Sequence, residues 1–446
     1  MRGKEIRLVI VAYQFPPLIV GGSERPFMFA KYLANNDFDV TVLTLSQQSY
    51  SKVYQKANID LALLQDLPEE VKIISVESED LIKARKGSIP LKFPEFFNEA
   101  YFWRKEFFNS IERIKKENGI DLILVTAPPF CVANQVIKYA KKEGIPCVLD
   151  MRDHWTFWVT TPYKTFLHFW WTKRMENRAL KTASKIITTS EVTRSDLLKL
   201  HRNLNPKKLL VIPNGFDATY QKANIVFSPN NKINIGYIGS FYYDPDSRQN
   251  ILKSRKEKSG IKKLQYVPRQ EDWLYRSPYF FLKTINTILS ENPSLKSQIQ
   301  INFAGQKPNW LEEMVASFNL ESNVNYLGLI SKSESIKFLK RNDFLLITSS
   351  KIKNGKDYSI AGKTFDYLQS QKPILAFVTN SAQRDLLIKT GAAIILNPDN
   401  NQEAVKKLTE IFSKGVTLSP NVEYISTFER KVQVKNLGQE LKTCIT

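Results

Sequence analysis

Short apolar runs of strand length alternate along this chain with longer amphipathic stretches of helix length, the pattern of parallel sheets covered by helices. One set of runs covers residues 8–12, 40–45, 71–76, 122–126, 146–150, 186–189 and 209–212. A second covers 233–238, 299–304, 324–327, 344–348, 373–377 and 393–396. Helix periodicity is carried by 23–35, 132–142, 279–291 and 335–341, and 422–442 predicts a terminal helix. The turn signal Pro213-Asn214-Gly215-Phe216-Asp217 falls where the first set ends. These signals divide the chain into an N-terminal domain over 1–213 and a C-terminal domain over 214–421. The remainder, 422–446, is expected to fold as a helix packing back on the N-terminal domain. A Lys- and Arg-rich stretch at about 243–277 interrupts the second domain's rhythm and reads as an inserted loop or hairpin. The fold class is therefore α/β, with two doubly wound parallel sheets. Open sheets of this kind bind ligands at the carboxyl ends of their strands, so a cleft between the halves is the expected site.

Composition narrows this picture without changing it. A chain of 446 residues, 43% apolar, exceeds the ~250 to 300 residues of a single core, so two domains are expected. Three cysteines (Cys131, Cys147, Cys444) and three histidines (His154, His168, His201) at unrelated spacings suggest neither a disulfide framework nor a metal ligand set. No run reaches the ~18 apolar residues of a membrane span, and residues 8–12 are too few for a secretory leader. A cytoplasmic protein, soluble or peripheral, is the expectation. The net charge of +20 attracts phosphorylated substrates, anionic lipid or nucleic acid, or is simply a solvated basic surface.

Candidate chemistry collects after the strands. Gly21-Gly22-Ser23 follows the first strand and precedes a helix, where backbone N–H groups and the helix dipole favour an anion; a plain turn capped by Ser23 is the bland alternative. Asp150-Met151-Arg152-Asp153-His154-Trp155 ends the fifth strand, suited either to acid–base work or to a structural Arg–Asp pair. Gly236 to Ser240, with Gly239 at the turn, closes the second domain's first strand. Further on, Gly362-Lys363-Thr364 opens a helix with Asp366 one turn in, so that an ammonium and N–H groups can hold a diphosphate while the carboxylate takes ribose hydroxyls.

In these motifs the chain resembles the GT-B fold glycosyltransferases of family 4, of the kind that build bacterial polysaccharides. Residues 17–23 are similar to that family's early glycine-glycine loop, and 149–155 to its D-x-R-D-x-W stretch. The hinge N-G-F-D is matched at 214–217, and 362–373 resembles its K-x-F-E-Y-L-x-x-x-K-P-I segment. The resemblance implies two Rossmann-like domains facing a cleft in the GT-B architecture. It implies retaining transfer of a sugar from a nucleotide-diphosphate donor to a hydroxyl of a lipid-linked or oligosaccharide acceptor, in lipopolysaccharide, capsule or other surface polysaccharide biosynthesis. Arg152 and Asp153 are then the catalytic candidates, and Gly21, Gly22, Gly239, Ser240, Gly362, Lys363, Thr364 and Asp366 the donor-binding ones. No metal and no cofactor are expected.

The sequence departs from the family at its E-x7-E pattern. Asp366 stands for the second glutamate, while Tyr358 replaces the first, leaving Asp357 to compensate. The Arg–Lys diphosphate clamp after the glycine turn is absent, and Arg248, Arg276 and Lys283 are the substitutes to consider. Asp244-Pro245-Asp246 imitates a metal-binding D-x-D but reads better as a turn. Two stretches rich in rings, 93–108 and 157–171, also carry Lys and Arg, and are either core helices or a surface for anionic lipid. In the first, Phe96, Trp103 and Phe107 share a helical face, from which peripheral attachment at the inner face of the cytoplasmic membrane is expected. The rival readings are a nucleotide-sugar epimerase of the same architecture, a basic nucleic-acid-binding protein, and a homologue that no longer catalyses.

Overall fold

The computed structural model describes residues 5–54, 58–78, 103–157, 162–229, 231–254 and 256–445. The seven strands read from the first set of apolar runs are β1 (Ile6–Ala12), β2 (Phe38–Leu45), β3 (Lys72–Val76), β4 (Leu122–Ala127), β5 (Cys147–Met151), β6 (Lys185–Thr188) and β7 (Leu209–Val211). They form one sheet in the order β3-β2-β1-β4-β5-β6-β7, parallel throughout. Helices cover both faces, so every residue of β4 and of β5 is buried, which is why these strands read as apolar runs interrupted only by Thr126 and Asp150. Each Val, Leu, Ile or Met side chain among them contributes roughly 1.5–3 kcal/mol on leaving water.

After Asn214 the short strand β8 (Ile225–Phe227) is followed by β9 (Ile233–Ile238), β10 (Glu271–Asp272), β11 (Ile299–Ala304), β12 (Val324–Tyr326), β13 (Phe344–Thr348), β14 (Lys351–Ile352), β15 (Ile374–Phe377), β16 (Ala393–Leu396) and β17 (Val416–Leu418). The six predicted strands make the second parallel sheet, ordered β12-β11-β9-β13-β15-β16. The other four pair antiparallel, β10 with β14 and β8 with β17. In both sheets the chain leaves one strand to opposite sides, β1 being flanked by β2 and β4, and β9 by β11 and β13. These are the switch points at which doubly wound sheets take ligands.

The chain divides into two units. The first runs to Asn214 and includes Gly260–Pro268 and the chain from Arg430, while the second holds Gly215–Ser259 and Arg269–Glu429. The terminal helix expected at 422–442 is two helices, Val422–Ser426 and Arg430–Lys442, and only the later one belongs to the first unit. The basic insertion is not a simple hairpin. It contains a helix, Pro245–Leu252, and short turns of 3-10 helix at Gly260–Leu264 and Trp273–Arg276.

The helix Arg104–Glu117 corrects the expectation of a lipid-facing surface there. Trp103 and Phe107 are fully buried, in edge and tilted ring contacts with Tyr13 and with each other, and the Trp103 indole donates to the Val76 carbonyl at 3.2 Å. That face is core, and Phe96 lies outside the described residues.

Candidate functional site

In the first domain the chemistry gathers where β1, β4 and β5 end. The Asp150 carboxylate is fully buried and accepts from the Arg25 guanidinium at 2.9 to 3.0 Å and from the Thr126 hydroxyl at 3.0 Å. The structural Arg–Asp pair therefore exists, but Arg25 supplies it and Arg152 does not. Two residues on, Arg152 donates to the Pro128 carbonyl at 2.5 Å and to Gln14 Oε1 at 3.3 Å, joining the loops that follow β4 and β1. Burial pushes its guanidinium below its usual value, with Asp153 and then Asp150 pulling it back up. A Cβ on Gly22 would stand 1.7 Å from Arg152 Nη1 and 2.1 Å from Gln14 Oε1, so the glycine is what admits the guanidinium. Gly21 differs, since a Cβ there meets nothing within 4 Å. The Ser23 hydroxyl donates back to the Val20 carbonyl at 2.9 Å and does not cap the helix Glu24–Leu33. Trp155 stacks on Phe130 with centroids 5.1 Å apart, fixing the chain after Asp153.

The second domain builds its site at the β9 switch point. Gly239 turns out of β9 with φ +98°, a conformation that strains any residue with a Cβ. Its N–H donates to the Ala304 carbonyl at 2.7 Å, so that group is not available to a ligand. The helix Lys363–Ser370 starts where the sequence placed it, and a Cβ on Gly239 would lie 3.1 Å from Lys363 Nζ. The ammonium sits 3.6 Å from the centroid of the Tyr237 ring and makes no ion pair among the described residues. Tyr237 in turn stacks on Phe241 at 3.9 Å and donates to the Ser240 carbonyl at 2.9 Å, so one ring both seats the ammonium and braces the glycine turn. Burial lowers Lys363 to about 7, against a smaller opposing pull from Asp366. Asp366 is exposed one turn further along the helix.

The remaining predicted residues divide by their surroundings. Thr364 is fully buried and donates to Gln383 Oε1 at 2.9 Å, so its hydroxyl serves the packing of its helix; Ser240 and Gly362 are exposed. Asp357 cannot take over for the missing glutamate. Buried completely, it accepts from Ser350 N at 3.1 Å and from the Ser359 amide and hydroxyl at 3.0 and 2.8 Å, and Arg276 stands 3.6 Å away. Arg248 pairs with Asp272 at 2.6 Å, Arg276 with Glu271 at 3.1 Å, and Lys283 is exposed on the helix Tyr279–Glu291. None of the three comes to Gly239 as Lys363 does. Asp244 caps the helix Pro245–Leu252, accepting from Ser247 N at 2.7 Å.

Three contributors escaped sequence reading. Gln14 and Tyr237 carry no motif of their own, although Tyr237 stands two residues before Gly239 and so shares its side of the strand. Gly305 does repeat the glycine-after-strand signal of Gly239. With φ +140°, a Cβ there would stand 2.5 Å from the Gly239 carbonyl oxygen, so the Gly239 turn needs residue 305 to lack a side chain. A separate pocket of about 490 Å³ opens beyond the ends of β15 and β16, lined by residues that include Thr379, Arg384, Asn397 and Glu403 but not Lys363.

Residues 20–220 match the model of Glycosyltransferase Family 4. No curated protein matches the chain in sequence. Among solved structures, a sucrose-phosphate synthase from Thermosynechococcus elongatus superposes with a TM-score of 0.58 at 12% identity, covering 99% of this chain and 96% of that one. WaaG, a glycosyltransferase involved in lipopolysaccharide biosynthesis, gives 0.53 at 12% identity over 98% and 99%. The Anabaena protein HepE, solved in complex with UDP, gives 0.54 at 12% identity over 99% and 97%. At such identities the structures establish the fold, and the family model adds the sequence signature across the first domain. The chain has the GT-B fold, and its residues 20–220 carry the signature of Glycosyltransferase Family 4.

Proposed function

We propose that this protein transfers a sugar from a nucleotide-diphosphate donor to a hydroxyl of a lipid-linked glycan, with retention and without a divalent metal, in surface polysaccharide biosynthesis. The observation that carries the reading is the Lys363 ammonium, held on Tyr237 beside the Gly239 turn at the switch point of the second sheet. A partly desolvated ammonium that makes no ion pair among the described residues, and feels only a smaller pull from Asp366, is unfavourable until an anion arrives, and a diphosphate supplies one. The HepE structure in complex with UDP supports a nucleotide-containing donor, and WaaG's involvement in lipopolysaccharide biosynthesis supports the pathway.

In this reading Lys363 neutralises the diphosphate as it leaves, and its contribution grows as charge develops on the departing oxygen. Asp366 accepts from the ribose hydroxyls, and Arg152 with Asp153 orient the reacting groups. The Gly239 N–H takes no part, being bonded to Ala304. The leaving diphosphate accepts the acceptor's proton, so no protein nucleophile is required.

The test is a thermal-shift panel of nucleoside diphosphates and nucleotide sugars, followed by release of nucleoside diphosphate with and without a lipid-linked glycan extract. Release that needs the extract and survives chelator supports the proposal. A panel without a single shift removes it; a sugar altered without any acceptor converts it to the epimerase reading.

A further inference from the structure

The helix Phe166–Thr182 of the first unit hides one face and leaves the other bare. Phe169, Thr172, Glu176, Ala179 and Leu180 are buried, at the spacing of a packed helical stripe. On the opposite side Phe166, Leu167, Trp170 and Trp171 are 54%, 72%, 45% and 52% exposed. The same face continues through Arg174, Arg178 and Lys181, all exposed. Glu176, the helix's single carboxylate, is turned away, bonded to His201 and the Thr156 hydroxyl. The exposed stripe is therefore aromatic at one end and cationic at the other, without an acid.

A second segment enlarges it. Tyr266 exchanges backbone hydrogen bonds with Tyr163 at 2.9 and 3.0 Å and lays its ring against Phe166 and Phe169, with centroids 5.1 and 4.7 Å away. The turn just before it, Gly260–Leu264, exposes Ile261 and Leu264 and carries Lys262 and Lys263. The chain thus brings two separate apolar and basic segments to one side of the first unit. Apolar side chains clustered in this way on a water-exposed surface mark a site of association.

We propose that this surface docks the protein on a lipid bilayer bearing anionic headgroups, the rings entering the interface while Arg174, Arg178, Lys181, Lys262 and Lys263 meet the headgroup charge. Charge complementarity selects the occupant. A second copy would bring like cations together, whereas a negatively charged bilayer accepts rings and cations at once. The docking stands on the surface itself; a lipid-carried acceptor, as proposed above, gives it a use.

The experiment sediments the purified full chain with phosphatidylcholine vesicles, with and without phosphatidylglycerol, at low and high salt. Binding to the phosphatidylglycerol vesicles, released by salt and weak on phosphatidylcholine alone, is the expected result. W170S with W171S should weaken binding at least about tenfold, and R174E with R178E and K181E on the order of 100-fold. Circular dichroism and the thermal shift given by UDP should stay as in the wild type, because these side chains are exposed and lie outside the nucleotide site. Failure to bind phosphatidylglycerol vesicles at low salt overturns the proposal, as does binding that neither variant weakens. A dimer in sedimentation velocity that W170S with W171S dissolves would assign the surface to a second copy instead. A UDP shift that persists while vesicle binding fails leaves the proposed reaction standing and removes only the docking.

Discussion

The two sheets solve the same problem with different cations. At each switch point a glycine makes room for a positively charged side chain, Gly22 for Arg152 in the first domain and Gly239 for Lys363 in the second. Arg152 is committed, because its guanidinium is tied to the Pro128 carbonyl and Gln14, so it has a fixed direction and a permanent charge. Lys363 rests on an aromatic face and makes no ion pair among the described residues, and burial, against a smaller pull from Asp366, has made its charge labile. A fixed guanidinium suits the orientation of reacting groups. An ammonium poised near neutrality suits capture of an anion that restores its proton.

The sharpest way to break this contrast is to remove the space made for Arg152. Gly22→Val puts carbon where Arg152 Nη1 now lies and must displace a guanidinium held by two loops. A displacement of about 1 Å costs on the order of 100-fold in rate when a group positions reactants. Turnover should fall by about that much, while nucleotide affinity, which the proposed reading assigns to the second domain, should be unchanged. Loss of native circular dichroism would mean that the first domain is merely unfolded, and intact turnover in a folded variant would deny Arg152 its role.

Lys363→Met is the complementary test. Losing a charge-assisted contact of about 1.5–3 kcal/mol should weaken nucleotide binding roughly tenfold or more. The methionine also removes a half-buried charge that its surroundings disfavour, so the free protein should melt higher at neutral pH. Weaker binding joined to a higher melting temperature is an outcome that general damage does not produce. Asp366→Ala, at an exposed position, should weaken binding less.

The pH dependence follows from the same lysine with its sign fixed. Lys363 gives up its proton at about 7 in the free protein and at 10.5 when unfolded. Over that window the unfolded chain holds more protons, so stability rises with pH. A bound diphosphate holds the ammonium charged, so binding takes up a proton and affinity should fall from about pH 7 upward. Titration calorimetry in buffers of different ionisation enthalpy reads that proton directly. Lys363→Arg, permanently charged, should flatten both trends.

How far these differences could be read in advance depended on what decides each one. The inner strands of the two large sheets were legible because burial on both faces leaves runs such as Leu122–Ala127 without a polar residue to break the signal, apart from a threonine. β8, β10, β14 and β17 are too short to show a period. The helix start at Lys363 was visible, but its seat on Tyr237 was not, because a cation–ring contact leaves no spacing in sequence. The ring-rich stretches show the limit most plainly. Trp103 and Phe107 have the spacing of an apolar face, as Trp170 and Trp171 join with Phe166 and Leu167 to form one. One face is wholly buried and the other bare, since the deciding fact is what the remainder of the chain packs against it.

The smallest effect should come from the position most like Gly22. Gly21 is its neighbour in the same loop and was the equal candidate in sequence, yet an added Cβ has nothing within 4 Å and the backbone has no positive φ to strain it. Replacing a glycine by alanine in a compatible conformation removes unfolded-state entropy and is worth ~0.4–1 kcal/mol of stability. Gly21→Ala should therefore leave turnover and UDP affinity within about twofold of wild type and raise the melting temperature slightly, where Gly22→Val abolishes most activity. If Gly21→Ala loses activity as severely, the loop serves a ligand through Gly21 itself, and the guanidinium is not the reason for the glycine pair.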